Sequence, residues 1–261
     1  MARFDWRSET LDTDHQALIA HLMLAADMAD TAPATPKNGY TKGAKIVRGD
    51  HRLCEVWWEG NPGVHVMASG PDAPWLVETL SSLPCERRVT RTDACEDWVQ
   101  AGLFDRLAAS LLAYAADHGI KINQQGDWHN GQSRTLYLGA RSSAGQLVLY
   151  EKGHQVGGDP DWIRLEARAY PKGCEARRRV TSWHPGQVFG ATPWMAGALS
   201  AIGWDHIEAQ RIGTVWAPSD TERARAALCK QYGKIIQSWA EDVGGWEHIG
   251  TVLRSRITEG A

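Results

Sequence analysis

The sequence predicts an α+β fold: a mainly antiparallel sheet with helices on one face, followed by a small C-terminal helical segment. Three observations carry this expectation. Short strand-like runs follow one another across turns, helical periodicities interrupt them only at intervals, and strand signals stop after about Pro185. The bulk composition agrees, because 261 residues with 43% hydrophobic and 23% charged residues suit a folded globular chain.

In chain order, Gln16–Ala29 steps its apolar residues by three and four, which predicts a first helix. The stretch from Thr31 to Lys45 is rich in turn formers and reads as a loop. Strands are expected at Leu53–Glu59, Gly63–Ser69 and Arg88–Asp97, then a helix over Gly102–His118 that the pair His118-Gly119 would end. Three further strands are Arg134–Ala140, Gln146–Lys152 and Trp162–Ala169, with a second loop at Gly153–Asp161. Beyond them Trp194–Ile202, Thr221–Trp239 (capped by Ser219-Asp220) and Trp246–Ile257 read as helices. The boundary is therefore expected near residue 190, giving a domain of 1–190 and an extension of 191–261 that carries Trp194, Trp204, Trp216, Trp239 and Trp246. Core packing is the expected role of these tryptophans, with base stacking the alternative. No internal repeat or low-complexity tract is visible.

Five scattered cysteines without a CxxC pair signal neither a zinc ribbon nor a disulfide framework, so reduced thiols in a cytoplasm are expected. No apolar run is long enough to span a bilayer, and the first residues lack the apolar stretch of a signal peptide; export and membrane insertion are not expected. The net charge of −3 hides an asymmetry: residues 1–120 carry 11 basic and 17 acidic groups, 121–190 carry 10 and 6, and 191–261 carry 7 and 8. A basic segment inside an acidic chain suits a phosphate-bearing partner, because binding responds to the local field.

Sorting strands by parity then separates core from chemistry, since alternate side chains point to opposite faces. In Trp162–Arg168 one face is Ile163, Leu165 and Ala167 and the other is Arg164, Glu166 and Arg168. In Val89–Asp97 the odd positions gather Arg91, Asp93, Cys95 and Asp97, and in Gln146–Lys152 the pattern sets Tyr150 and Lys152 opposite Leu147 and Leu149. If these faces share one sheet surface, they offer carboxylates for a hard divalent cation, a hydroxyl nucleophile and cations for phosphate. Cross-strand charge pairing on a solvated face is the competing reading. Tyr137 is either a second nucleophile or a half-buried strand tyrosine, and His65 either reaches the site or is structural. The run Arg177-Arg178-Arg179 is either a solvated helix face or a DNA-backbone contact.

The segments RVTRTDACEDW (Arg88–Trp98), RTLYLGARSS (Arg134–Ser143), LVLYEKG (Leu147–Gly153) and DWIRLEAR (Asp161–Arg168) resemble, in order, motifs of the replication initiation factor family. These are rolling-circle replication initiators of filamentous phages and small Gram-positive plasmids, and the resemblance spans about residues 40–190. It implies a DNA nickase and strand transferase whose tyrosine attacks a phosphodiester, stays joined to the 5′-phosphate and frees a 3′-hydroxyl. Tyr150 would be the nucleophile, assisted by Lys152 and Arg164. Asp93 and Glu166, with Asp97 as a further acid, would hold Mg²⁺ or Mn²⁺. Arg141, Arg168, Arg177, Arg178 and Arg179 would contact DNA. The implied partners are origin DNA, the host helicase and polymerase, and a second copy in a homodimer.

Two departures stand out. The loop GHQVGGDPD lacks the acidic residue that often follows the motif, and no His-hydrophobic-His element exists, so histidine metal ligation is not expected. A metal-dependent hydrolytic nuclease and a non-enzymatic origin-binding regulator are the alternative functions.

Overall fold

The computed structural model of the protein describes residues 2–212 and 220–259. Two compact units divide it, Met1–Thr214 and Val215–Ala261.

The first unit is built on one antiparallel sheet of ten strands. They are β1 (Arg3–Leu11), β2 (Asp30–Pro33), β3 (Lys42–Arg48), β4 (His51–Trp58), β5 (Val64–Ser69), β6 (Arg87–Val99), β7 (Ile122–Asp127), β8 (Gln132–Leu138), β9 (Gly145–Tyr150) and β10 (Trp162–Ala169). Their order is β2-β3-β4-β5-β1-β6-β10-β9-β8-β7. Split at the β1·β6 junction, the two halves repeat one topology: a central strand, a helix, an edge hairpin that works inward, and a return beside the central strand. This duplication leaves no repeat legible in the sequence, because packing constrains the pleat and the order of pairing and leaves the residue identities free.

The helices of the first unit are α1 (His15–Ala25), α2 (Ala73–Ser81), α3 (Leu103–Asp117), the short α4 (Lys152–Val156), α5 (Cys174–Arg179), α6 (Pro185–Phe189) and α7 (Pro193–Ser200). Asp14 accepts a hydrogen bond from the Ala17 amide and fixes the start of α1. Two apolar clusters fill one face of the sheet. Leu18, Leu22, Leu76 and Leu80 of α1 and α2 meet Ile46, Val56 and Val66 in the first half. Phe104 and Leu111 of α3, with Ala176, Phe189, Met195 and Leu199, meet Ala94, Leu136, Leu147, Leu149 and Leu165 in the second. Each burial of such a side chain supplies roughly 1.5–3 kcal/mol. The α+β class, the antiparallel sheet and the helices on one face thus hold.

Several expectations change. The stretch read as a loop from Thr31 to Lys45 holds β2 and the start of β3, while β1 and β7 were not anticipated. β7 is exposed along its whole length and β1 buries Arg7, Ser8 and Glu9 in succession, so neither alternates apolar with polar. The packing division falls later than residue 190, because α7 gives Met195, Ala198 and Leu199 to the first unit's core.

The second unit contains α8 (Asp220–Asp242) and α9 (Trp246–Glu259), joined through Gly244 and Gly245, both at positive φ. Ala240 and Ile249 are buried there. The expected cap at Ser219 and the surroundings of Trp216 lie outside the described residues. Among the described residues no helix is long and apolar enough to cross a membrane.

The seam between the halves carries a buried ion pair. Arg7 Nε donates to Glu9 Oε1 at 2.7 Å with both side chains fully buried, and Arg7 Nη2 reaches the Thr181 carbonyl at 3.2 Å. Truncating Arg7 leaves the buried Glu9 with only the longer contact to Arg87, at 3.5 Å. Arg7→Ala should therefore lower stability by about 3–5 kcal/mol in urea denaturation, whereas Arg7→Met combined with Glu9→Leu should cost much less.

Candidate functional site

The face of the sheet opposite the helices carries the chemistry. Register fixes which groups meet: Asp97 pairs with Arg164, Arg164 with Tyr150, and Tyr150 with Thr135, while Asp93 lies opposite Arg168 and Cys95 opposite Glu166. With alternate side chains sharing a face, Asp93, Tyr150, Arg164, Glu166 and Arg168 all line one cavity of about 550 Å³, together with Tyr137, Arg91 and Asp5.

Tyr150 is half-buried at the end of β9. Burial, aided by the charges of Glu166 and Asp5, pushes its phenol well above the usual tyrosine value, and the Arg164 guanidinium opposes the shift. The group is therefore a neutral phenol at neutral pH. Arg164 is itself held by two carboxylates, donating from Nη1 to Asp5 at 2.9 Å and from Nε to Asp97 at 2.6 Å.

Asp93 and Glu166 form the acidic centre. Burial raises Asp93 out of the ordinary carboxylate range, Arg91 works against that, and the charge of Glu166 adds to it. For Glu166, burial is overcome by hydrogen bonds from Arg168 and Asp93, and its pKa falls. The two shifts run in opposite directions, so Asp93 holds its proton more tightly than Glu166 does. Each acid also keeps its own arginine: Arg91 Nε donates to Asp93 Oδ1 at 2.9 Å, and Arg168 Nε to Glu166 Oε1 at 2.8 Å.

Other residues read from the sequence fall elsewhere. Lys152 is not on the strand with Tyr150, because β9 ends at Tyr150 and Lys152 opens α4. It still lines the cavity, with Nζ 5.8 Å from the Tyr150 ring centre. Inside α4, an added Cβ at Gly153 would lie 1.6 Å from the Asp159 carbonyl oxygen. Asp97 is not a wall of the cavity; burial would raise its pKa, but hydrogen bonds from Arg164 and Arg3 hold it low. It thus serves as an anchor for arginines and leaves the acidic centre to Asp93 and Glu166. Arg141 lies outside this cavity and lines a neighbouring one with Lys121, Tyr137 and Arg168.

Arg177, Arg178 and Arg179 sit on α5, whose Ala176 packs into the core on the opposite face of the sheet. None of them lines the site, and Arg178 is paired with Glu86 at 2.8 Å. A run of adjacent arginines announces charge but not the face on which its helix docks.

Arg3, Asp5 and Arg91 were not assigned in advance. The spacing Arg-x-Asp at Arg3/Asp5 recurs at Arg91/Asp93, on the paired strands β1 and β6, and is the signal that could have found them.

Whether a hard divalent cation fits follows from the donors. Asp93 and Glu166 are the adjacent carboxylates, and among the described residues no cluster of three acidic, histidine or cysteine side chains is arranged for a metal. A pair suits Mg²⁺ or Mn²⁺, which commonly take one or two carboxylates and complete their shells with water and substrate phosphate. Asp93, whose pKa burial raises, must then ionise.

No family model and no characterised protein matches the sequence. Among solved structures, a rolling circle replication initiator protein from Geobacillus stearothermophilus aligns over 77% of this chain and 84% of its own, with a TM-score of 0.52 at 20% identity. The two share a fold. TBP from Methanococcus jannaschii covers 63% of this chain with a TM-score of 0.30 at 8% identity, too low to establish a common fold.

The raised pKa of Asp93 has a stability consequence. In the native state Asp93 keeps a proton that the unfolded chain releases above the ordinary carboxylate range, so its contribution declines as pH rises through that window. Asp93→Asn removes this slope. Between pH 5 and pH 8, urea denaturation should shift in the variant's favour relative to the parent by on the order of 1 kcal/mol or more.

Proposed function

We propose that the protein is a rolling-circle replication initiator that nicks and rejoins one strand of origin DNA through a phosphotyrosyl intermediate on Tyr150. The observation that carries this reading is the convergence, in one cavity, of a phenol, a pair of buried carboxylates and several cations. The shared fold with a protein of that description supports it.

The scissile phosphate enters between Arg164, Arg168 and Lys152, whose positive charge offsets its negative charge and the charge that builds in the transition state. Tyr150 begins as a phenol, a poor nucleophile, so its proton must be taken as attack begins. Solvent takes that proton, and Arg164 stabilises the developing phenolate. The Tyr150 Oη–P bond forms, the P–O3′ bond breaks, and the 3′-oxygen leaves as a hydroxyl, taking up a proton from solvent. Because the tyrosyl ester keeps the energy of the phosphodiester, a later 3′-hydroxyl can reverse the step and close the strand. Mg²⁺ or Mn²⁺ bound by Asp93 and Glu166 would supply Lewis-acid neutralisation of the phosphate oxygens. Arg91 and Arg168 keep the two carboxylates aimed into the cavity.

The test is incubation of a labelled single-stranded oligonucleotide from the cognate origin with Mn²⁺, read on a denaturing gel. The parent protein should give a cleaved strand and a protein-DNA adduct that survives denaturation. Tyr150→Phe should lose both while binding the oligonucleotide within a few-fold of the parent, and Tyr137→Phe should keep both. Cleavage without an adduct would identify a hydrolytic nuclease, and binding without cleavage a regulatory DNA-binding protein. Asp93→Asn and Glu166→Gln should lose metal-dependent cleavage and weaken Mn²⁺ binding in calorimetry.

A further inference from the structure

Beside the site lies a second cavity of about 390 Å³ on the same face, bounded by Trp6, Ser8, Thr10, Tyr40, His65 and Thr90, with Lys37 and Arg91 among its remaining walls. Trp6 and Arg91 line both cavities, so the two share a wall. The composition is that of a stacking box. His65 and Tyr40 are largely buried and stacked at 5.8 Å between centres, with the fully buried Trp57 behind them, tilted against His65 at 5.9 Å and not itself a wall, and the Arg91 guanidinium lies 4.4 Å from the ring centre of the partly exposed Trp6.

We infer that this cavity receives an unstacked nucleobase of the DNA strand, next to the phosphate that Tyr150 attacks. The inference rests on the proposed function above and adds to it a base-binding subsite. Four features support it. Aromatic faces accept any base, because every base has a π-face. The hydroxyls of Ser8, Thr10 and Thr90 provide edge partners. Thr10 Oγ1 lies 3.1 Å from His65 Nδ1 and Ser8 Oγ lies 2.8 Å from Thr90 Oγ1, which orients these groups before any ligand arrives. The buried indole N–H of Trp6, in the common wall, has no hydrogen-bond partner among the described residues. A buried donor left so is unfavourable, and a base or phosphate acceptor would satisfy it.

The fourth feature is rigidity. The segment Lys37–Tyr40 is a built turn: the Tyr40 amide donates to the Lys37 carbonyl at 3.0 Å, and Asn61 Nδ2 donates to the Asn38 carbonyl at 2.7 Å. Asn38 and Gly39 both adopt positive φ. Lys37 Nζ stands 3.8 Å from the Trp57 ring centre and 3.1 Å from Glu55 Oε2, at the rim where a backbone phosphate would pass. Burial, with Lys37 adding to it, lowers His65 to about 4, so its ring stays neutral and the box holds no titrating charge near neutral pH.

The experiment is photocrosslinking with short oligothymidylate carrying 5-iododeoxyuridine, bound to the full chain in EDTA so that metal-dependent cleavage does not intervene. Digestion and mass spectrometry should place the adduct on Trp6, Tyr40 or His65. In fluorescence anisotropy with the same oligonucleotide, Tyr40→Leu, shown to be folded by circular dichroism, should weaken binding about five- to hundredfold. Lys37→Ala, at an exposed rim position, should flatten the dependence of log K on log[salt] by about 0.7. An oligonucleotide that binds but crosslinks only at other residues, or a folded Tyr40→Leu that binds within twofold of the parent, would overturn the subsite and leave the nicking reading standing. Failure of the parent protein to bind single-stranded DNA at all would remove both.

Discussion

The pairing of β1 with β6 is the interaction on which the rest depends. It joins two five-stranded halves into one sheet, and a continuous pleat is what separates a helix-bearing face from a chemical face across all ten strands. Irregularities in that pairing lie between Phe4 and Trp6 and between Ser8 and Glu9. A bulge changes which face a side chain takes, and these allow Asp5 and Trp6 both to line the active cavity while Arg7 and Glu9 are buried on the other side. Without the seam, Asp5 would not reach Arg164 and the site would lose one of its anchors.

The second organising constraint is charge compensation. Burying Asp93 and Glu166 on a sheet would be prohibitive if each were alone, and the fold answers with Arg91, Arg168 and a proton held more tightly on Asp93. Arg164 has the complementary arrangement, a cation fixed by Asp5 and Asp97 beside a phenol that does not ionise unaided. These groups form one charged array around Tyr150, and the helices of the opposite face act by holding the sheet that carries it.

Loops finish the surface. Gly153, inside α4, has the Asp159 carbonyl so close that a side chain has no room there, which lets the segment before β10 fold back against the helix. On the first half of the sheet the Lys37–Tyr40 turn folds over Trp57, so that a segment rich in turn formers supplies a wall. The same face therefore differs between the two halves: carboxylates and arginines surround Tyr150 in one, and aromatic rings and hydroxyls bordered by Lys37 and Arg91 line the other.

The sequence by itself determined the α+β class, most of the inner strands and the helices, because alternation in a strand and three-to-four spacing in a helix are local properties. It also placed Tyr150 apart from Leu147 and Leu149, and Glu166 between Arg164 and Arg168 on one face, since parity needs no partner strand. Only the tertiary structure decided how those faces meet. Register set Arg164 between Asp97 and Tyr150, put Asp93 opposite Arg168 and diagonal to Glu166, and turned Asp97 into an anchor. Local rules also failed where pattern was absent: β7 is an exposed edge, β1 buries charged residues through pairing, and α5 carries Arg177–Arg179 to the face away from the site. Which neighbours a charged side chain finds is a non-local fact, set by strands far apart in the chain, and it is those neighbours that decide its protonation and its role.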